Sequence, residues 1–151
     1  MYKNIVTGTD GSETAGVAVK QAADLAKTFG AKLHLVSAYR PVAQVAISTG
    51  DTPVIMPEQI EELDKELSAR VDGLLSRISD QLKEQGIEVE VHSVAGDASD
   101  ALLDTAEYVG ADLIVVGNRG MGGVKRFLLG SVPNNVSHHA TCNVLIVHTV
   151  A

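Results

Sequence analysis

The sequence predicts an α/β fold, a mostly parallel sheet with helices on both faces. Three observations carry this expectation. Short apolar runs alternate along the chain with segments of helical period. The fourth run, Leu113 to Gly117 (LIVVG), is apolar without interruption, as a central strand covered on both faces requires. Glycine-rich turns follow the first and fourth runs, at the strand ends where such sheets bind ligands.

The first strand is Ile5 to Thr9 (IVTGT), starting near Lys3. A helix over Glu13 to Phe29 follows, with Ala15, Ala18, Ala22, Leu25 and Phe29 on one stripe at spacings of three and four. Ser12 suits its N-cap and Gly30 its stop. Leu33 to Tyr39 (LHLVSAY) is the second strand. Arg40 to Met56 holds Pro41, Gly50 and Pro53 without a period and reads as a long loop of the functional kind. Pro57 to Gln85 is a long helix striped by Ile60, Leu63, Leu67, Val71, Leu74, Ile78 and Leu82 and closed by Gly86.

The third strand, Ile87 to Val94, alternates apolar with polar residues. Asp97 to Val109 is a helix with Asp97 as cap and Gly110 as stop. Leu113 to Gly117, a helix over Ser131 to Ala140, and a last strand over Asn143 to Thr149 complete the order. Crossovers are expected to be right-handed. Neither a second domain nor a repeat is visible, so 1–151 reads as one domain.

The composition narrows the function. The formal net charge is −7, which argues against nucleic acid or an anionic membrane as partner, since both present phosphate. A small phosphate ligand stays compatible, because backbone N–H groups hold it locally. Cys142 is the only cysteine and reads as a small buried side chain. No stretch approaches the roughly 20 apolar residues of a membrane span, and the opening lacks a signal-peptide run, so the expected compartment is the cytoplasm.

Two strand ends gather unusual residues. One is Gly8-Thr9-Asp10-Gly11-Ser12; the other is Gly117-Asn118-Arg119-Gly120-Met121-Gly122-Gly123. Side by side, they would form a crevice. Glycine there lets backbone approach a phosphate and adopt positive φ, so that N–H groups converge on an anion. Further on, Gly130 and Ser131 open a helix whose start carries free N–H groups and a positive dipole end. Singly, each piece is an ordinary turn or cap, Ser12 included; together on one rim they read as a polyphosphate site. No GxxxxGK[ST] is present, and no GxGxxG follows the first strand, which excludes the usual P-loop and dinucleotide folds.

The motif Gly117-x2-Gly120-x9-Gly130-Ser131 resembles the nucleotide-binding signature of the universal stress proteins. Thr9-Asp10-Gly11-Ser12, the Leu113 to Gly117 strand, and Leu129-Gly130-Ser131-Val132 through Val147 are similar to that family too. The resemblance implies an open five-stranded parallel sheet in the order 3-2-1-4-5, Rossmann-like and adenine nucleotide alpha hydrolase-like. It also implies ATP or a related adenine nucleotide in the crevice, with cyclic AMP the alternative. By position, Gly8, Thr9 and Asp10 would line adenosine and ribose, with Asp10 against base, sugar or a bound magnesium or manganese ion. Ala38 would meet adenine through its backbone, and Val116 would flank the nucleoside. Gly117, Asn118, Arg119 and Gly120 would wrap ribose and phosphates; Gly130, Ser131 and Val132 would hold phosphates. Gly96 would border the pocket.

Three functions are open at this point: a stress-related nucleotide sensor, a slow ATPase, and a dimeric interaction module in which nucleotide is incidental. The first is favoured, because no convincing catalytic base is visible. The alternating last strand, Val144 to His148, would form a sheet edge that seeks a partner, and the family resemblance implies a homodimer through it. His138 and His139 are neighbours whose side chains diverge by about 100° on a helix. His34, His92 and His148 fall on separate strands, so the sequence argues against a metal or catalytic role for any histidine.

Overall fold

The computed structural model describes residues 1–42, 56–119 and 129–149. The elements are β1 (Asn4–Gly8), α1 (Glu13–Phe29), β2 (Lys32–Tyr39), α2 (Pro57–Glu84), β3 (Val89–Ala95), α3 (Ala98–Val109), β4 (Leu113–Gly117), α4 (Ser131–His139) and β5 (Asn143–Val147). They form a five-stranded sheet in the order β3-β2-β1-β4-β5, with every pair parallel. The expected fold and strand order are both present.

Strand β1 sits at the centre. Ile5 pairs with Leu33 on one side and with Leu113 on the other. Ile5, Leu33, Leu35, Leu113 and Val115 face α1 and α2 and pack on Ala22, Ala26, Leu75 and Leu82. The alternate residues Val6, Val36, Ile114 and Val116 face α3 and α4 and pack on Ala101, Leu102, Ala106 and Val136. Strands buried on both faces need apolar residues at nearly every position, which accounts for IVTG and LIVVG. Thr7 is the polar exception, and its hydroxyl donates to the Val115 carbonyl at 2.9 Å.

Most helix limits follow their local chemistry. Ser12 accepts from the Ala15 N–H at 3.2 Å, and Gly30 closes α1 in the left-handed region. The Asp97 carboxylate accepts from the Ser99 and Asp100 N–H groups, and Gly110 closes α3 at φ +64°.

Two apolar stripes differ from expectation. In α1 the buried residues are Ala18, Val19, Ala22, Ala23 and Ala26, whereas Phe29 is 38 % exposed and stacks edge-on against Tyr2. Alanine is so small that a helix rich in it seats on its closest-packing side, which its apolar period does not single out. In α2 only Leu75, Ser79 and Leu82 are buried, and Leu63 is 40 % exposed. Length explains this: at about 1.5 Å per residue, the 28 residues of α2 far outrun the eight-residue β2 beneath them. The amino-terminal half therefore overhangs the carboxyl edge of the sheet. There Asp64 accepts from the Val42 N–H at 2.6 Å. The remaining residues of the Arg40 to Met56 loop lie outside the described residues, apart from its ends.

Strands β3 and β5 are the edges. On β5, Val144 and Leu145 are half-buried and Ile146 is 37 % exposed. Cys142 is half-buried just before it, and burial pushes its thiol pKa up, which suits a packing role. Among the described residues no helix is long and apolar enough to cross a membrane.

The overhang makes a prediction for α2. Leu75→Ala should cost about 2–5 kcal/mol of stability. Leu63→Ala should change it by about 1 kcal/mol or less. Urea unfolding followed by circular dichroism measures both; equal losses would mean that the overhanging half is packed like the seated half.

Candidate functional site

The sheet reverses its winding at β1. From β1 the chain moves outward to β2 and β3, then returns to β4 on the other side of β1. The connections leave β1 and β4 on opposite faces, so a crevice opens between their carboxyl ends. Gly8, Thr9 and Asp10 line it from β1; Val116, Gly117 and Arg119 line it from β4. Val36 and Ala38 form one wall, and Val132 and Pro133 of α4 form another. The space between them, open to solvent on one side, is about 730 Å³.

The turn after β1 is tightly bonded. The Thr9 N–H donates to the Val36 carbonyl at 2.9 Å, and the Thr9 hydroxyl accepts from the Gly11 N–H at 3.1 Å. Gly11 adopts φ +84°, where a side chain would be strained. One Asp10 carboxylate oxygen accepts from the Ser12 N–H at 2.9 Å, which orients an otherwise exposed carboxylate at the rim.

Three of the rim glycines do not use the positive φ that was expected. Gly8, Gly117 and Gly130 are not in the positive-φ region. A Cβ on Gly8 would stand 3.2 Å from Leu102 Cδ2, so the missing side chain lets α3 seat against the end of β1. A Cβ on Gly117 would stand 2.8 Å from Thr149 Cγ2, closer than packing allows. Close approach of protein to protein favours glycine at Gly117, while at Gly8 it asks Leu102 to give by only a few tenths of an ångström.

Asn118 does not line the crevice. Its N–H donates to the Val147 carbonyl, and its side-chain oxygen accepts from both the N–H and the hydroxyl of Thr149 at 2.9 and 3.0 Å. Its amide nitrogen donates to His148 Nδ1 at 3.4 Å, and its carbonyl accepts from the Gly130 N–H at 3.1 Å. Asn118 thus fastens the end of β5 to β4 and fixes where α4 begins. Gly120 falls outside the described residues, as do Lys125 and Arg126.

Gly130, not Ser131, is the N-cap of α4, with φ −61° and ψ 163°. No side chain caps this helix among the described residues. By contrast, Ser12 and Asp97 cap α1 and α3. The Ser131 and Val132 N–H groups and the positive end of the α4 dipole therefore face the rim without a side-chain acceptor. Ser131 is exposed, and Gly96, at φ +135°, lies outside the lining.

The sequence reasoning did not place Val36, Ala98, Leu102 and Pro133 in the site. Two signals pointed to them. Val36 shares a face with Ala38 by the strand period of two. Ala98 and Leu102 lie one turn apart on the helix after β3.

The family model described as the universal stress protein family matches residues 1–148. A relative, universal stress protein Rv1636 of Mycobacterium tuberculosis, is 37 % identical, with 98 % of this chain and 97 % of the relative covered. The solved structure of a universal stress protein in complex with cAMP is 35 % identical, with a TM-score of 0.72 and coverage of 99 % and 98 %. The structure of the protein MJ0577 superimposes with a TM-score of 0.83 at 27 % identity, covering 100 % and 99 %.

The Gly117 contact is testable. Gly117→Ala should lower stability by about 1–3 kcal/mol through overpacking. Adding Thr149→Ser removes the Cγ2 methyl and keeps the hydroxyl on Asn118, so the double variant should recover most of the loss in urea unfolding. A loss that the second substitution leaves untouched would assign the effect to backbone conformation instead.

Proposed function

From the chain's membership in the universal stress protein family, we propose that it binds an adenine nucleotide in the β1–β4 crevice and acts as a stress-related nucleotide sensor. The observation that carries this reading is the start of α4. Among the described residues no side chain caps it, so its N–H groups and dipole are available to an anion. The apolar wall of Val36, Ala38, Val116 and Leu102 suits a purine base.

ATP is the favoured ligand, with its phosphates directed from Gly117 toward Ser131 and Val132. Among the described lining residues Asp10 is the only carboxylate. Magnesium is commonly held by one or two carboxylates together with substrate phosphates. Asp10 therefore fits a metal that arrives with ATP rather than a preformed metal site. Such an ion would neutralise phosphate charge. Cyclic AMP is the second reading, favoured by the cAMP complex at 35 % identity. Among the described lining residues Asp10 alone could act as a base, which favours at most slow hydrolysis.

The chain is also proposed to form a homodimer in the cytoplasm, pairing along the β5 edge, where Ile146 is exposed. Light scattering at micromolar concentration should give twice the mass of one chain; a monomer mass removes the dimer.

Denaturing the purified protein and identifying released nucleotide by mass spectrometry, followed by calorimetry with ATP, AMP and cyclic AMP, tests the site. Gly130→Glu should weaken the preferred ligand at least about tenfold, a change of 1.4 kcal/mol. Gly130 is buried, although its φ of −61° is open to any residue, so circular dichroism must first show the variant folded and the exposed Ser131→Glu serves as the second variant. No released nucleotide and no heat with any of the three would replace this reading with a nucleotide-independent interaction module.

A further inference from the structure

A second cluster lies away from the crevice, toward the amino ends of β2 and β3. Parallel pairing sets His34 opposite Glu90 and Val36 opposite His92. All four side chains share the face that α3 covers, by the strand period of two. The register therefore brings together two histidines that are 58 positions apart in sequence. His34 Nδ1 and His92 Nε2 stand 3.0 Å apart, and His92 Nε2 stands 3.6 Å from Glu90 Oε1. The three ligand atoms all lie within 4.8 Å of one another.

The surroundings favour ligation. His34 is 3 % exposed, and its Nε2 lies 3.1 Å from Asn4 Oδ1. An amide oxygen only accepts, so Nε2 carries the proton and Nδ1 keeps its lone pair. Asn4 is itself held, because its N–H donates to the Asp112 carboxylate at 3.2 Å. A second partner that fixes tautomer and ring orientation is what metal-binding histidines generally have. Lys32 Nζ holds Glu90 Oε2 at 2.7 Å and Glu88 at 3.8 Å, which leaves Glu90 Oε1 turned toward His92. One lysine against two carboxylates leaves a single net negative charge beside the imidazoles. Burial lowers the pKa of both histidines, His34 further through the charge of His92, and so favours the neutral ligand form. His92 and Glu90 are only partly buried, which gives an ion a path from solvent.

We propose that His34 Nδ1, His92 Nε2 and Glu90 Oε1 form a binding site for a divalent transition metal of the zinc class, with water in the fourth position. Two imidazole nitrogens about 2.0–2.1 Å from a tetrahedral zinc stand roughly 3.4 Å apart. The rings need to separate by only a few tenths of an ångström to admit the ion. In the metal-free chain His92 Nε2–H donates to His34 Nδ1. On binding, that proton moves to His92 Nδ1, and both facing lone pairs reach the metal. Two imidazoles and a carboxylate select zinc, copper or nickel over magnesium or calcium. The ion would staple β3, an edge strand, to β2.

The test uses untagged full-length protein stripped with EDTA and dialysed against zinc chloride. The expected result is one zinc per chain, a rise in Tm of several degrees, and with cobalt(II) the strong visible absorption of a four-coordinate site. His92→Gln, at a partly exposed position, should keep the metal-free circular dichroism and Tm and weaken zinc at least tenfold. Zinc affinity should be unchanged in the double variant His138→Gln, His139→Gln. No bound zinc, full binding retained in His92→Gln, or binding lost in the double variant would each overturn the proposal. None of these readouts depends on nucleotide.

Discussion

The parallel pairing of β1 with both β2 and β4 is the constraint on which the rest of the molecule depends. Parallel neighbours cannot be joined by a tight hairpin, so each connection must cross a face of the sheet. Because β1 is central, crossovers toward β2 and β3 use one face, and those serving β4 and β5 use the other. That split makes β1 apolar on both sides and, among the described residues, leaves a crevice between the carboxyl ends of β1 and β4. The Thr7 hydroxyl on the Val115 carbonyl ties these two strands beneath the opening, inside a 0 % exposed position where an unpaired hydroxyl would be costly. The crevice is therefore a consequence of strand order before it is a consequence of glycines.

Much of this was legible in the sequence where local chemistry decides. The limits of α1 and β4 match their sequence signals to the residue, because Ser12, Gly30 and an unbroken apolar run act locally. The strand order followed only from the family resemblance, since periodicity cannot say which strands pair. The α1 stripe was misplaced because alanine carries little directional signal, and the burial of α2 was overestimated because its length exceeds the sheet it packs on. Tertiary geometry also decided what single residues do. Asn118 appeared to belong to a phosphate loop, yet Thr149 and His148, about 30 positions away, engage its side chain. His34 and His92 appeared unrelated until the β2–β3 register put them in hydrogen-bond contact.

Gly8 and Gly117 show a packing demand at positions read as part of a binding motif. The crevice has backbone at its rim, and both glycines provide it. A side chain at Gly117 would displace Thr149, and one at Gly8 would need Leu102 to give by a few tenths of an ångström. A ligand-binding motif of this kind is partly a packing motif: it records how closely α3 and the end of β5 must approach the rim for the walls to close. Substitution there disturbs fold and site together. Gly130 is in ordinary extended backbone yet buried, and the exposed Ser131 beside it separates the two effects better.

A net charge of −7 is compatible with the proposed anion site because the strand order gathers the helix amino ends at one edge of the sheet. Helices that cross between parallel strands run antiparallel to them. Their positive amino ends gather at the carboxyl edge of the sheet, and their negative carboxyl ends gather at the amino edge. At the carboxyl edge, Ser12 and Asp97 cap the starts of α1 and α3, whereas among the described residues no side chain caps α4. Toward the amino edge the side chains are Asp112, Glu88, Glu90 and the paired imidazoles, groups that accept hydrogen bonds or ligate cations. A phosphate ligand and a transition metal would each find its electrostatic complement at opposite ends of the same strands.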